Sequence, residues 1–359
     1  MSIIVFIFCF ILFCGEIFSW TPIGSCYNMR GIHSITIAER DYVVWKTETN
    51  QYIVQDNVCP HRFAPLSEGR LEKNTLQCRY HGWQFNSQGN CTVIPQSSSS
   101  GPYRCSVPTY RTRRTGDILW ANIPTLFSKE QSTTEFWKTI QKDEILQNAT
   151  VPYIREVPYS WNFLMENLFD PAHVPFAHHG LQSYRDDAGP LPIYLMDMSL
   201  TKLSFLFEDK SNGTVRNGIM ELHSPYLYKL WLREENQWKS HLTILCVPIK
   251  PGRTRVILCR NERLSIKKRQ RLHEFHNQFF NTDDYLIHQQ EIYRQFTGNS
   301  YYMPTSSDYA VKVCQKWIKR YYPRWEFQNT IELKKSEALD NQENHINHCM
   351  DCQRKQKKK

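Results

Sequence analysis

The chain of 359 residues is long enough for two domains of ordinary size, each with a sizeable core. Aromatics at 13% and only 14 glycines exclude a disordered or fibrous chain. The net charge of +9 is modest, much of it sits between Arg354 and Lys359, and no nucleic-acid motif accompanies it, so nucleic acid is not an expected partner. A basic tail of this kind is expected to be solvated, or to touch anionic lipid at a membrane surface or an acidic partner.

Residues 2–14, SIIVFIFCFILFC, are free of charge and strongly apolar. The run is short for a spanning helix and suits the apolar centre of a signal peptide, which makes 1–19 a targeting-like segment, compatible with ER entry. No Lys or Arg precedes it and no small-x-small cleavage site follows. Targeting and a wrongly placed start are therefore both open. Asn90, Asn148 and Asn212 each begin an Asn-x-Thr triplet, a pattern common by chance. Twelve cysteines lack the density of a secreted disulfide scaffold, so the thiols are expected to be largely reduced.

From residue 20 to 125 the pattern is that of an all-β domain. ITIA, YVVWKT, QYIVQ and ILWANI cluster β-formers between polar turns, with SQGN and QSSSSGP as turns. Within this scaffold lies CPHRFAPLSEGRLEKNTLQCRYHGWQF. Cys59 and His61 form a Cys-x-His pair, and Cys78 and His81 a Cys-x-x-His pair. Two thiolates and two imidazoles on two loops suit a [2Fe–2S] cluster with cysteines on one iron and histidines on the other, which raises its reduction potential. A structural Cys₂His₂ zinc site has the same ligand inventory, but it usually pairs Cys with Cys and His with His. Gly82 permits close backbone approach, and Trp83 and Phe85 are placed to wall the group from water.

Residues 126–150 are polar and charged and read as a linker. A second domain is expected over 151–330, where WNFLMENLFDPAHVPFAHHG precedes strand-like SFLFED, YLYKLWL, HLTILCVPI and RVILC. A helical stretch from Ile266 to about Phe296 follows. One helix-borne motif, a long antiparallel sheet and a closing helix give an α+β reading. Asn167, Asp170, His173 and His178 fall in the order Asn-x-x-Asp-x-x-His-x-x-x-x-His. Two imidazoles and a distant carboxylate form a facial triad that leaves positions on Fe(II) open for O₂ and substrate. On an unbroken helix His173 and His178 would stand about 140° apart, so Pro175 is expected to bend the chain between them. Asp170 before Pro171 reads as an N-cap. For the carboxylate, Asp283 and Asp284 both qualify, with Thr282 as a cap that puts either acid in a first turn. Periodicity gives Asp283 the inward face and Asp284 the wetter one, so Asp283 is expected as the ligand. The tail, 331–359, is polar. Its Cys349 and Cys352, with His345 and His348 beside them, read as a thiol switch, a zinc or iron site, or idle thiols.

CPHRFAPLSEGRL, LQCRYHGWQFNSQGNCTVIPQ, ENLFDPAHVPFAHHG and Cys349-x-x-Cys352 together resemble the Rieske oxygenases. The similarity is to the group of pheophorbide a oxygenase, chlorophyllide a oxygenase and the Rieske proteins of the chloroplast inner envelope. The resemblance implies a Rieske domain followed by a helix-grip catalytic domain, assembled as a ring trimer. It implies that Cys59, His61, Cys78 and His81 bind the cluster and that His173, His178 and Asp283 bind iron. Asp170, with Asn167 nearby, would bridge the two centres. It implies a ferredoxin or reductase as electron donor, O₂ as co-substrate, a chlorophyll-derived tetrapyrrole as substrate and a plastid location. Plant members carry a long transit peptide and continue past the Cys-x-x-Cys into apolar anchors, and this chain matches neither feature. The alternative is a redox-sensing or electron-transfer component of a plastid envelope complex, although a sensor has no need of an open His-His-Asp iron site.

Overall fold

The computed structural model describes residues 17–125, 130–211, 213–323 and 330–357. The apolar run at 2–14 and Asn212 lie outside them. The first part is built from three small sheets. Strands β1 (Ile17–Ser25), β10 (Thr112–Thr115) and β11 (Ile118–Thr125) form one, in the order β1-β11-β10. Strands β2 (His33–Ile37), β3 (Arg40–Lys46), β4 (Tyr52–Asp56) and β9 (Thr109–Tyr110) form the second. The third is a meander of β5 (Arg70–Glu72), β6 (Thr75–Gln77), β7 (Gln84–Asn86) and β8 (Cys91–Val93). The β-branched and aromatic runs of the sequence are the inner faces of these sheets, with Val43, Val44, Trp45, Ile53 and Val54 buried.

The second part is a seven-stranded antiparallel sheet in the order β12-β18-β17-β16-β15-β14-β13. Its strands are β12 (Tyr153–Val157), β13 (Ile193–Met198), β14 (Lys202–Ser211), β15 (Thr214–His223), β16 (Leu227–Glu234), β17 (Gln237–Lys250) and β18 (Arg253–Leu258). Strand β15, TVRNGIMELH, reads poorly as a strand because of its glycine. At Gly218 an added Cβ would stand 2.2 Å from Phe207 Cζ, so the missing side chain makes room for a core aromatic of the paired strand.

The stretch expected as a linker holds α1 (Glu130–Lys142) and α2 (Glu144–Gln147). It is no polar tether. Phe136, Trp137, Ile140 and Leu146 are buried, and Trp137 packs on Trp20 and Trp120 at 4.8 and 5.7 Å. Three apolar residues on α1 and one on α2 suffice to dock helices whose other positions are mostly polar or charged. One apolar core runs from β1–β4 and β11 through α1 into the large sheet.

Short helices α3 (Trp161–Leu168), which ends on Asn167-Leu168, and α4 (Val174–Ala177), which lies between His173 and His178, carry the Asn-Asp-His-His stretch. The helix α5 (Ile266–Thr297) is a continuous 32 residues, about 48 Å by helical rise. Its buried positions recur at three- and four-residue intervals, but they are His273, His276, Phe280, Asp283, Asp284, Ile287, His288 and Glu291. A helix with so ionisable an inner face is held by hydrogen bonds, ion pairs and metal ligation more than by apolar burial. Arg155 on β12 shows how: its guanidinium reaches Asp284 at 2.5 and 3.0 Å, Asn277 and Asn281 of α5, and Asn341 of the tail. After α6 (Tyr309–Tyr321) the tail folds back as α7 (Lys335–Ala338), α8 (Asn341–Asn344) and α9 (Met350–Gln356). Among the described residues no helix is long and apolar enough to cross a membrane.

Candidate metal centres

The two cysteine–histidine loops are built alike. Cys59 N–H bonds to Ala64 O and Phe63 N–H back to Cys59 O; Cys78 N–H bonds to Trp83 O and Gly82 N–H back to Cys78 O. In each loop the residue four after the cysteine has a left-handed backbone, Phe63 at φ 60° and Gly82 at φ 76°. At Gly82 an added Cβ would also sit 3.1 Å from Pro95 Cγ. The cysteines lie at the buried floor, where burial, with Cys78 beside it, pushes the Cys59 thiol up to about 11. The imidazoles of His61 and His81 face each other at the rim with ring centroids 4.6 Å apart. Trp83 stacks flat on His61 at 4.4 Å, and Phe85 is fully buried beneath. Paired sulfurs below and paired nitrogens above match the two ends of a [2Fe–2S] cluster with asymmetric ligation.

The second centre joins the α3–α4 segment to α5. Asp170 caps the turn before His173, its Oδ1 accepting from Ala172 N–H at 2.9 Å. Pro171 and Pro175 each open a new short turn, and this break lets His173 and His178 converge with ring centroids 5.2 Å apart. Asp283 completes the group: its Oδ2 lies 3.2 Å from His178 Nε2 and 3.7 Å from His173 Nε2. The three ligand atoms lie within 4.8 Å of one another.

Thr282 fixes how His178 presents itself. Its hydroxyl donates to Phe279 O at 2.7 Å, so its oxygen accepts from His178 Nδ1–H at 2.8 Å. The Nε2 lone pair of His178 then faces a carboxylate oxygen with no proton between them, an arrangement that a cation satisfies. This donor set fits Fe(II). Asn167 Nδ2 approaches His173 Nε2 at 3.4 Å, while Asp170 Oδ2 lies 3.8 Å from His173 Nδ1, a buried atom otherwise without a partner. Both residues named from the motif thus touch His173.

Three details differ from the sequence reading. Thr282 lies in the middle of α5 and caps nothing; the cap is Ser265, whose side chain accepts from Lys268 N–H. The periodicity argument is reversed, because Asp284, Ile287, His288 and Glu291 are all buried while Leu286, on the face of Asp283, is half exposed. Asp284 is nonetheless kept from the histidines by its pairing with Arg155, and Asp283 is the acid that meets them. In the tail, His348 turns to Glu343 O, and His345 alone of the two histidines stays with the cysteines. His179 accepts from Arg185 N–H and stands apart from the metal groups.

A cavity of about 720 Å³ opens on the second centre. Its walls are mostly apolar, with Phe275, Phe279 and Leu230 among them, and Phe279 stacks on His178 at 3.8 Å. Arg260 supplies a cationic group to the wall and forms no ion pair among the described residues; its Nη2 donates to His276 Nε2 at 3.0 Å. Burial, with that guanidinium beside it, pushes His276 down to about 3, so the imidazole is neutral. Sequence reasoning named Thr282 only as a cap and missed its bond to His178, and it missed Arg155 and Arg260 altogether, since none belongs to a spaced motif.

A small β domain with two Cys/His loops, joined to a helix-crossed antiparallel sheet with a two-histidine, one-carboxylate site, defines a Rieske-type iron protein with a mononuclear iron centre. Residues 19–111 match the Rieske [2Fe-2S] domain family. The chain is 28% identical to the chloroplastic pheophorbide a oxygenase of Oryza sativa subsp. japonica, over 88% of this chain and 68% of that protein. It is 28% identical to the chloroplastic flavonoid 8-hydroxylase 2 of Ocimum basilicum, over 84% of this chain and 65% of that protein. It thus spans about two thirds of the length of these relatives. The fold is that of dicamba monooxygenase bound to dicamba, with a TM-score of 0.66 and 17% identity over 84% of this chain and 96% of that one. Residues 19–111 are thus a Rieske domain, the chain as a whole is similar to the pheophorbide a oxygenase group of Rieske non-haem iron oxygenases, and its cofactors are a Rieske cluster and Fe(II).

Proposed function

We propose that the chain oxidises an organic acid of the chlorophyll-derived tetrapyrrole class, in a plastid, with O₂ as co-substrate and electrons from a ferredoxin or reductase. Cys59, His61, Cys78 and His81 would hold the cluster, and His173, His178 and Asp283 the iron. When bound, these groups supply the single-electron steps and the activation of O₂ that no side chain can perform. The observation that carries the reading is the 720 Å³ cavity whose apolar walls end at this His-His-Asp set and carry Arg260. A large aromatic substrate with a carboxylate suits such a cavity: the walls desolvate the ring system, and the guanidinium fixes its orientation. Thr282 keeps the His178 tautomer, and Asp170 would hold a proton on His173 Nδ1. The chloroplastic relatives support the plastid location and, through pheophorbide, the substrate class.

Phe63 and Tyr80, 79% and 58% exposed beside His61 and His81, form an aromatic rim that suits the neighbouring subunit of a ring trimer. The test is a screen of pheophorbide, chlorophyllide, linear phyllobilins and flavones with reduced ferredoxin under ¹⁸O₂. Mass-shifted product from a tetrapyrrole is the expected result. Label in flavones alone would overturn the substrate class. Label in none, with a redox-active cluster, would favour the electron-transfer alternative.

A further inference from the structure

Outside both centres, His273 of α5 meets His345, Cys349 and Cys352 of the tail, and the ligand atoms of all four lie within 4.8 Å of one another. All four side chains are buried, none more than 8% exposed. We propose that they form a third metal site, a closed Cys₂His₂ set that binds one zinc ion and staples the C-terminal tail to α5.

The distances fit. Zinc bonds of about 2.3 Å to sulfur and about 2.0 Å to nitrogen, at tetrahedral angles, hold S and N about 3.5 Å apart. Cys349 Sγ and Cys352 Sγ lie 3.4 and 3.5 Å from His273 Nδ1, and Cys352 Sγ lies 3.3 Å from His345 Nε2. The orientation of His345 is fixed from behind: its Nδ1–H donates to Ile154 O at 2.5 Å, so the Nε2 lone pair faces the sulfurs. Tyr153 stacks on His345 at 4.4 Å and meets His273 edge-on at 5.3 Å, closing the site from solvent. Charge balances as well. Two thiolates and two neutral imidazoles around Zn²⁺ sum to zero, which a buried site requires. Four protein ligands leave no open position, the mark of a structural rather than a catalytic ion.

The tail also needs such a staple. Between residues 335 and 357 the buried side chains are Ala338, Asn344, His345, Cys349, Asp351 and Cys352, which is almost no apolar core. Segments this poor in apolar burial are commonly held by a metal or a disulfide. The surrounding anchors are polar: Arg269 and Tyr27 on Asp351 at 2.7 and 2.8 Å, and Arg155 on Asn341 at 2.7 Å. Each binds the tail to α5, to the first strand region or to β12, and Asp351 is the direct chain neighbour of the ligand Cys352.

X-ray absorption at the zinc edge of the full chain, purified with both iron centres loaded, tests this without interference from iron. The expected result is one zinc per chain with two sulfur and two nitrogen neighbours, unchanged in His173→Ala. Zinc content should fall at least tenfold in His273→Gln and in Cys349→Ser/Cys352→Ser. If the double variant aggregates, the wild-type spectrum decides alone. Zinc with only N/O neighbours, zinc lost in His173→Ala, or a zinc-free native protein with a Cys349–Cys352 disulfide or two alkylatable thiols would each overturn the proposal.

Discussion

Asp283 and Asp284 are neighbours on one helix with opposite tasks, and the difference lies in what each carboxylate meets. Asp283 has two imidazole nitrogens within 3.7 Å, whereas Asp284 takes the Arg155 guanidinium in a fully buried pair. Asp283→Ala is expected to lose mononuclear iron and turnover while keeping the Rieske EPR signal. Asp284→Ala leaves a buried cation unpaired, a cost of about 3–5 kcal/mol, and is expected to lower the denaturation midpoint with iron bound in the fraction that folds. An unchanged midpoint with lost iron would exchange the two roles. Arg260→Gln leaves only Arg216, which is paired with Asp209, as a guanidinium on the cavity wall, and should raise KM for an acidic substrate about tenfold, worth ~1.4 kcal/mol, with kcat little changed. Equal KM in both proteins would remove Arg260 from substrate binding. Asp170 both caps a turn and faces His173, and Asp170→Asn separates the two jobs because asparagine still caps. Both metal centres should stay occupied while turnover collapses. Cluster oxidation at the wild-type rate in a single turnover of prereduced protein would leave Asp170 as a cap only.

At the scale of elements, what could be read from the sequence was what repeats or is spaced. The strand runs around Val43, Trp120, Leu230 and Val247 are buried strands, and the helix expected from Ile266 is α5 almost to the residue. The two Cys/His loops and the Asn-Asp-His-His order were legible for the same reason, because ligand chemistry fixes the spacing of the residues that deliver it. Other elements depend on partners far away in the chain. Helices α1 and α2 look polar until Trp20 and Trp120 supply a surface for Trp137. The inner face of α5 defeats a hydrophobicity count, since its buried residues are acids and imidazoles whose partners lie on other elements: Arg155 on β12 for Asp284, and Ser160 before α3 for Glu291. The choice between Asp283 and Asp284 failed as an argument from wetness for that reason. His273 is the same case, 72 residues from its nearest partner His345, a separation that no local pattern can show.

At the scale of the molecule, the exposed edge formed by His61, Phe63 and Tyr80 leaves the cluster loops open on the side away from the buried cysteines. In a ring, a heterologous contact sets this edge against a different surface of the next copy, and Asp170, with its side chain one third exposed, is placed to be part of that surface. Electrons would then pass between subunits rather than within one. Two inactive variants distinguish the routes: His61→Cys, which should abolish the Rieske EPR signal or convert it to a ferredoxin-like one, and Asp283→Ala, which spares the cluster and removes the iron. Neither chain alone holds both centres in working order. If transfer crosses the interface, dissociating and reassembling a 1:1 mixture pairs a sound cluster with a sound iron at about a quarter of the junctions in a heterologous ring, and about a quarter of wild-type turnover should return. If transfer stays within one chain, the mixture is as inactive as its parts. Size-exclusion chromatography of Phe63→Glu gives the companion result for the proposed ring: a smaller species than the wild type, with the Rieske signal intact, is expected, and an unchanged elution volume would move the interface elsewhere.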